Sequence, residues 1–223
     1  MTRGPRPWFF DAWARVYDLS LVQRVVYRPP QDAVVSALRD APCRAVLDVG
    51  CGTGQLAARL RRELPRTYVV GCDFSRGMLG QARARDRRTP WVQGDAGCLP
   101  FRDGTFDAVV CTEAFHWFPD PRRALAEFRR VLRPAGRLLL ALVNPRFVTT
   151  GRIVELASRV VGQPFRWPTR RELRRLAQEA GFHVDRQVRI LRLPGALLLP
   201  PALTIATVGP APSRAPRARA MVR

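Results

Sequence analysis

The stretch that most constrains this chain is a glycine-rich segment at residues 46–54, which reads V-L-D-V-G-C-G-T-G. An apolar run precedes it and a helix-forming run from Gln55 follows it, so the order is strand, loop, helix. Glycines here allow a sharp turn and let backbone N–H groups approach a ligand. Gly50, Gly52 and Gly54 give G-x-G-x-G, and not the G-x-G-x-x-G of a dinucleotide-binding fold.

Asp48 adds a carboxylate near the end of this apolar strand, where hydrophobic packing alone gives no reason for one. A carboxylate at that point suits a ligand with cationic or hydrogen-donating groups better than it suits a pyrophosphate. The segment therefore indicates a ligand site of a different kind from a phosphate cradle.

The segment resembles motif I of the class I S-adenosylmethionine-dependent methyltransferases, and further motifs follow in order between about residues 10 and 208. It is most similar to the small-molecule branch that includes the ubiquinone and menaquinone biosynthesis methyltransferases. The resemblance implies an α/β fold: a doubly wound, mostly parallel, seven-stranded sheet of Rossmann-like type with a C-terminal antiparallel hairpin. It also implies S-adenosyl-L-methionine as the cofactor.

Asp73 is predicted to bind the ribose, because it follows a β-branched strand and lies 23 residues beyond Gly50. An acid at roughly 20 residues past such a loop bonds ribose hydroxyls in nucleotide folds. The alternative is a helix N-cap, since F-S-R-G-M-L comes next. In the family an acid after the third strand faces the adenine amino group, which points to Asp95 with Ala96; the alternative is a turn aspartate after Gly94.

The full cofactor site implied by the resemblance draws on several separate stretches of the chain. In the family, an N-terminal F-D-x-x-A-x-x-Y-D stretch supplies a tyrosine that closes over the cofactor. The implied residues are Tyr17, Asp48, Gly50, Cys51, Gly52, Gly54, Asp73, Phe74, Met78, Asp95, Ala96 and Thr112.

The segment T-E-A-F-H-W-F at residues 112–118 follows the predicted fourth strand and combines aromatics, an imidazole and a carboxylate. We predict that His116 is a general base, with Glu113 and Tyr17 as alternatives, and that Phe115 and Trp117 contact the substrate. The other interpretation is that these side chains pack around the cofactor. Methyl transfer mainly needs alignment of the reacting atoms at about 3–3.5 Å. A base helps only if the acceptor must lose a proton.

Strand and helix patterns alternate through Val143, which predicts a parallel sheet in one domain. We divide the chain into an N-terminal helical cap at 1–40, a cofactor-binding methyltransferase domain at 41–209 and a disordered basic tail at 210–223. The five cysteines show neither C-x-x-C spacing nor a histidine cluster, so no metal site is expected. Reduced thiols without a signal peptide predict a cytoplasmic protein.

The net charge is +20 and all 38 basic residues are arginine. Residues 151–223 hold 14 arginines against four acids, which favours an anionic partner such as RNA or an anionic membrane surface. The apolar run near residues 193–208 contains three prolines and is too short to span a bilayer. The sequence does not decide the oligomeric state.

Three kinds of function are compatible with these patterns. A small or lipophilic methyl acceptor is favoured by the aromatic segments. RNA is disfavoured because no added RNA-binding domain is visible and the arginines lack interleaved aromatics. A non-catalytic cofactor-binding partner protein is disfavoured by the intact glycines and acids.

Overall fold

The computed structural model describes residues 27–144, 156, 167–190 and 201–209. Five α-helices lie within these ranges: α1 (Arg28–Asp40), α2 (Gln55–Glu63), α3 (Arg76–Arg85), α4 (Pro121–Val131) and α5 (Arg170–Glu179). The strands are β1 (Ala45–Val49), β2 (Tyr68–Asp73), β3 (Trp91–Gln93), β4 (Phe106–Thr112), β5 (Leu132–Val143), β6 (Phe182–Arg189) and β7 (Pro201–Val208). A short 3-10 helix, Phe115–Trp117, follows β4.

The strands form one seven-stranded sheet in the order β3-β2-β1-β4-β5-β7-β6. Strands β1 to β5 pair in parallel, and β7 is antiparallel to both β5 and β6. This confirms the predicted doubly wound, mostly parallel sheet with its C-terminal antiparallel pair. β5 lies between β4 and β7, inside the sheet.

Helices cover both faces of the sheet. Successive residues of a strand point to opposite faces, so neighbouring residues pack against different helices. Leu47 and Val109 belong to the cluster that packs under α4 and α5. Their neighbours Val46 and Val110 belong to the cluster that packs under α1 and α2. Two cores therefore hold the sheet from both sides and fix where its strands end.

β5 begins earlier than the sequence indicated. The apolar pattern predicted a strand from Arg137, with the preceding helix ending at Pro134–Gly136, but α4 ends at Val131 and Leu132 already pairs with Phe106. The register shifts between Phe106 and Ala108, so the extra residues form an irregular start to the strand. Sequence periodicity does not detect such a shift, because the exposed residues at this point carry no alternation.

Two helices begin at residue types that favour helix starts. The Asp120 side chain accepts hydrogen bonds from the Arg122 and Arg123 amides at 3.0 Å, with Pro121 at the first helical position. Thr169 and Glu172 form a capping box. Tyr17, the rest of the cap before residue 27 and the tail from residue 210 lie outside the described residues.

Candidate functional site

A cavity of about 460 Å³ opens along the edge where the parallel strands end. The carboxyl edge of an open α/β sheet is where such folds bind ligands. The walls come from the segments after β1, β2, β3, β4 and β5, together with two residues from elsewhere. They are Tyr27, Val49, Gly50, Gly52, Asp73, Phe74, Met78, Gly94, Asp95, Ala96, Thr112, Glu113, Ala114, His116, Trp117, Phe118, Pro119, Val143 and Trp167.

The glycine loop is pressed against its surroundings at both ends. Gly50 has a φ of +70°, and a Cβ there would come within 2.3 Å of the Ala114 Cβ. Gly54 has a φ of +77°, and its Cβ would come within 2.4 Å of the Trp91 ring. Only glycine meets both demands without strain. Gly50 and Gly52 line the cavity, whereas Gly54 and the buried Cys51 act from behind it as parts of the loop.

Asp73 is oriented by two backbone amides. Its Oδ2 accepts a hydrogen bond from the Gly52 amide at 2.8 Å, and its Oδ1 accepts one from the Ser75 amide at 2.9 Å. Asp73 also lines the cavity, and a carboxylate oxygen can accept hydrogen bonds from more than one donor. The N-cap of α3 is Ser75, which accepts from the Met78 amide, so the helix-capping alternative for Asp73 does not describe its role.

Asp95 and Ala96 lie at the same end of the cavity as Phe74 and Met78. The Asp95 Oδ1 accepts the Gly97 amide at 2.8 Å, so this residue also forms the turn that was its alternative interpretation. Phe74 is 42% exposed although it lines the cavity, so a large aromatic face is open to a ligand. The sequence-predicted residues of β2 and β3 are thus brought together.

Asp48 lies beneath the cavity and does not form part of its wall. It is 1% exposed, and among the described residues neither carboxylate oxygen accepts a hydrogen bond of normal geometry. Burial and, after it, the negative charge of Asp73 raise the pKa of Asp48 to about 8, while the nearby Ala57 amide acts in the opposite direction. The expectation that three acids share one rim therefore applies to Asp73 and Asp95, while the third acid sits behind the loop.

Glu113 is an additional acid of the cavity wall, next to Thr112. Its backbone has a φ of +50°, and its amide donates to the Ala141 carbonyl at 2.8 Å. The Val143 amide interacts with its carboxylate, while Oε1 is buried and has no hydrogen-bond partner in the described part of the chain. Burial raises the pKa of Glu113 to about 8. The sequence analysis proposed Glu113 only as an alternative base. A positive φ at a glutamate cannot be predicted from the sequence pattern.

His116 lines the same cavity and lies close to two indole rings. Its ring centroid is 5.1 Å from that of Trp117 and 5.7 Å from that of Trp167. Burial lowers the pKa of His116 to about 3, so the imidazole is neutral near pH 7 and a weak proton acceptor. Phe115, expected to touch substrate, is instead 2% exposed and packs in the core, against Phe118.

Sequence reasoning missed several wall residues that lie far from any motif. Tyr27 precedes α1 and Trp167 precedes α5, so only the folded chain brings them to the strand ends. Asn144, just after β5, donates to the Pro168 carbonyl at 2.7 Å and thereby fixes the segment that carries Trp167. The aromatic character of both residues was visible in the sequence, but their position was not.

The walls differ sharply in charge from the whole molecule. The chain has a net charge of +20, yet the cavity lining formed by the described residues includes Asp73, Asp95 and Glu113 and no arginine. Acidic walls suit a ligand with positive charge and disfavour a phosphate-bearing one. Within the same ranges, no cluster of metal-ligating side chains occurs and no helix has the length and apolarity needed to cross a bilayer.

The chain is similar in sequence to one protein-family model and to several curated proteins. Residues 47–140 match the family described as "Methyltransferase domain". The chain is 46% identical over 117 residues to a demethylmenaquinone methyltransferase of Thermus thermophilus, covering 51% of this chain and 53% of that protein. It is 37% identical over 133 residues to a malonyl-[acyl-carrier protein] O-methyltransferase of Hahella chejuensis, covering 58% and 46%. The matches thus span about half the length of these curated relatives.

A solved structure supports the fold over nearly the whole chain. The methyltransferase in complex with the Trm112 methyltransferase activator of Haloferax volcanii superposes with a TM-score of 0.73 at 24% identity, covering 94% of this chain and 100% of that one. Motif order, sheet topology and the acid-lined cavity agree with this match. The chain is thus similar, over residues 47–140 and in its fold, to the class I S-adenosylmethionine-dependent methyltransferases.

Proposed function

We propose that this chain transfers a methyl group from S-adenosylmethionine to a small, largely apolar acceptor. The observation that carries the proposal is the cavity across the strand ends, with two acids at its β2–β3 end and mostly apolar and aromatic walls at its β4–β5 end. The first end suits a nucleoside and the second suits an acceptor with a ring or an alkyl body.

The residues present fit the cofactor. The Asp73 carboxylate, which lines the cavity, would accept hydrogen bonds from the ribose hydroxyls, and Asp95 with Ala96 would face the adenine. Gly50 and Gly52 would let the backbone come close to the remainder of the ligand. When bound, this cofactor supplies a methyl group on a positively charged sulfur, which suits walls without arginine.

The chain itself contributes alignment and exclusion of water. Trp117, Phe118 and Trp167 contribute aromatic walls, and Val143 at the end of β5 adds an apolar one. Holding two reactants at about 3–3.5 Å in line removes a large share of the entropic barrier. His116, predicted from sequence as a base, is better suited by its lowered pKa to packing against the indoles.

The names of the relatives leave the acceptor open, since one acts on a demethylmenaquinone and another on a malonyl group. RNA remains the second candidate only through the +20 charge. The cavity favours the first candidate, because no wall residue of the described ranges could pair with a phosphate as a guanidinium does.

Labelled S-adenosylmethionine, incubated with the protein and a cell extract that is then separated into lipid, small-molecule and RNA fractions, tests the proposal. We expect label in the lipid or small-molecule fraction. Label confined to RNA would replace the proposal with the second candidate. Binding of S-adenosylmethionine without transfer to any fraction would favour the non-catalytic partner protein.

A further inference from the structure

We propose that Glu113 binds and deprotonates the acceptor, and that the acceptor is an amine on an aromatic or apolar body. The proposal rests on the proposed function and deepens it, because it names the acceptor class and the group that recognises it.

Glu113 lies at the acceptor end of the cavity and away from the nucleoside end. Strand ends follow one another along the sheet edge in the order β3-β2-β1-β4-β5. Neighbouring strands lie about 4.8 Å apart, so β4 is roughly 14 Å from β3. Asp95 follows β3 and Asp73 ends β2, whereas Glu113 follows β4 and contacts Val143 of β5. A cofactor held by the first two acids leaves the third for the acceptor.

The side chain has hydrogen-bonding capacity that the fold does not use. Its Oε1 is buried without a partner among the described residues, although the residue lines the cavity. A buried polar oxygen left unpaired destabilises the fold, because it has lost its hydrogen bonds to water. The terminal torsion of a glutamate is soft, so a small rotation presents this oxygen to a ligand. Pairing with a hydrogen donor on the acceptor would recover that cost.

The surroundings select a cation over an anion. Tyr27, Trp117 and Trp167 provide aromatic faces in the same cavity. Such faces attract ammonium groups, because the face of an aromatic ring carries partial negative charge. Asp48 and Cys111 lie close by, since the charges of Asp48 and Glu113 both act on the Cys111 thiol, and His116 is on the wall. None of these groups is a cation near pH 7, so no built-in positive charge competes with the ligand or would hold a carboxylate acceptor.

The chemistry balances without any further reactant. The ammonium N–H bond breaks and an O–H bond forms on Glu113, which converts an ion pair into a neutral pair. Burial raises the pKa of Glu113 to about 8, so the unliganded carboxyl group is mostly protonated at pH 7 and releases this proton to water as the ammonium binds. A low-dielectric site then favours transfer of an ammonium proton to the carboxylate. The nitrogen lone pair then takes the methyl group, and the electrons of the broken C–S bond remain on sulfur. The proton on Glu113 returns to water when the methylated ammonium leaves.

Binding of three matched probes tests this. 1-Naphthylmethylammonium, 1-naphthalenemethanol and 1-naphthoate share one ring and differ in charge, and each is titrated calorimetrically into protein saturated with S-adenosylhomocysteine. We expect the ammonium to bind at least ~10-fold more tightly than the alcohol, and the carboxylate to bind weakest. Glu113→Gln should lose about 10-fold in ammonium affinity and change alcohol affinity less than about 3-fold. Glu179→Gln on the exposed end of α5 is the control and should match the wild type.

Affinity for S-adenosylhomocysteine, measured first, separates the two proposals. If it is absent, the proposed function fails. If it is present but falls in Glu113→Gln, the residue serves the cofactor and the amine proposal is overturned. Naphthoate binding as tightly as the ammonium, no detectable binding of any probe, or an unchanged ammonium affinity in Glu113→Gln would each overturn it as well.

Discussion

Asp73 shows how one side chain can serve both the fold and the ligand. Its two oxygens hold the glycine loop through the Gly52 amide and the start of α3 through the Ser75 amide. The carboxylate is therefore fixed before any ligand arrives. A preoriented acceptor loses little entropy on binding, which is the physical content of a preformed site.

Asp73→Ala should weaken S-adenosylmethionine binding at least ~10-fold in calorimetry, because hydrogen bonds to a charged group are worth about 1.5–3 kcal/mol. Asp103→Ala is the matched control, since Asp103 is exposed and pairs only with Arg130 among its described contacts. Equal affinities in both variants would remove Asp73 from the ribose site.

Asp48 makes stability depend on pH. Its pKa is about 8 in the folded protein and near 3.8 in an unfolded chain, so between these values the folded state holds the extra proton. Stability contributed by this group is therefore greatest at low pH and falls as pH rises towards 8. Asp48→Asn, which mimics the neutral acid, should raise stability by up to about 5 kcal/mol at pH 8 and change it little at pH 4. Melting curves from pH 4 to 9 that stay parallel for the two proteins would contradict this.

At the scale of elements, the loop between β1 and α2 tolerates few side chains at its glycine positions. Gly50→Ala should cost about 2–4 kcal/mol in chemical denaturation, because it adds both a left-handed strain and a clash with Ala114. Gly80→Ala in α3 is the control: nothing lies within 4 Å of its added Cβ, so we expect a gain of about 0.5–1 kcal/mol. A Gly50→Ala protein as stable as the wild type would show that the loop adapts.

The elements were also the most predictable part of the molecule. The short apolar run at Trp91–Gln93 forms β3. The helix caps at Asp120 and Thr169 can be predicted from sequence, because capping depends on residues close together in the chain. The early start of β5 was not, since it depends on pairing with Phe106 across the sheet. The acids after β2 and β3 were found from their spacing, whereas Tyr27 and Trp167 reach the cavity only through tertiary packing. Whether Asp48 lies in the wall or beneath it likewise depends on the packing of the loop.

At the scale of the whole molecule, the sheet is complete at Val208, where β7 pairs with Phe182 of β6. Removing residues 210–223 should therefore leave the melting temperature within about 2 °C, because no pair of the sheet is lost. Calorimetric scans of the full and shortened chains provide the comparison. A drop of about 8 °C or more, equivalent to roughly 2 kcal/mol or more in a protein of this size, would mean that the tail stabilises the fold.

The contrast between a +20 molecule and an arginine-free cavity wall gives two separate electrostatic behaviours. Any association of the outer surface with nucleic acid should weaken steeply with salt, since it depends on counterion release. Binding inside the cavity should depend on salt far less, because it rests on a few enclosed contacts. Titrations of S-adenosylmethionine and of a random RNA at about 50 and 200 mM salt compare the two, and equal salt dependence would contradict the distinction.

The identity of the ligand at the strand ends distinguishes an adenosyl-binding site from a phosphate-binding one. A crystal structure of the protein with S-adenosylhomocysteine is the most direct measurement. It should show the adenosyl group between Asp73 and Asp95, with the sulfur lying towards β4 and Glu113 facing the open end of the cavity. A ligand bound elsewhere, or a phosphate-bearing nucleotide held at this edge in its place, would contradict it.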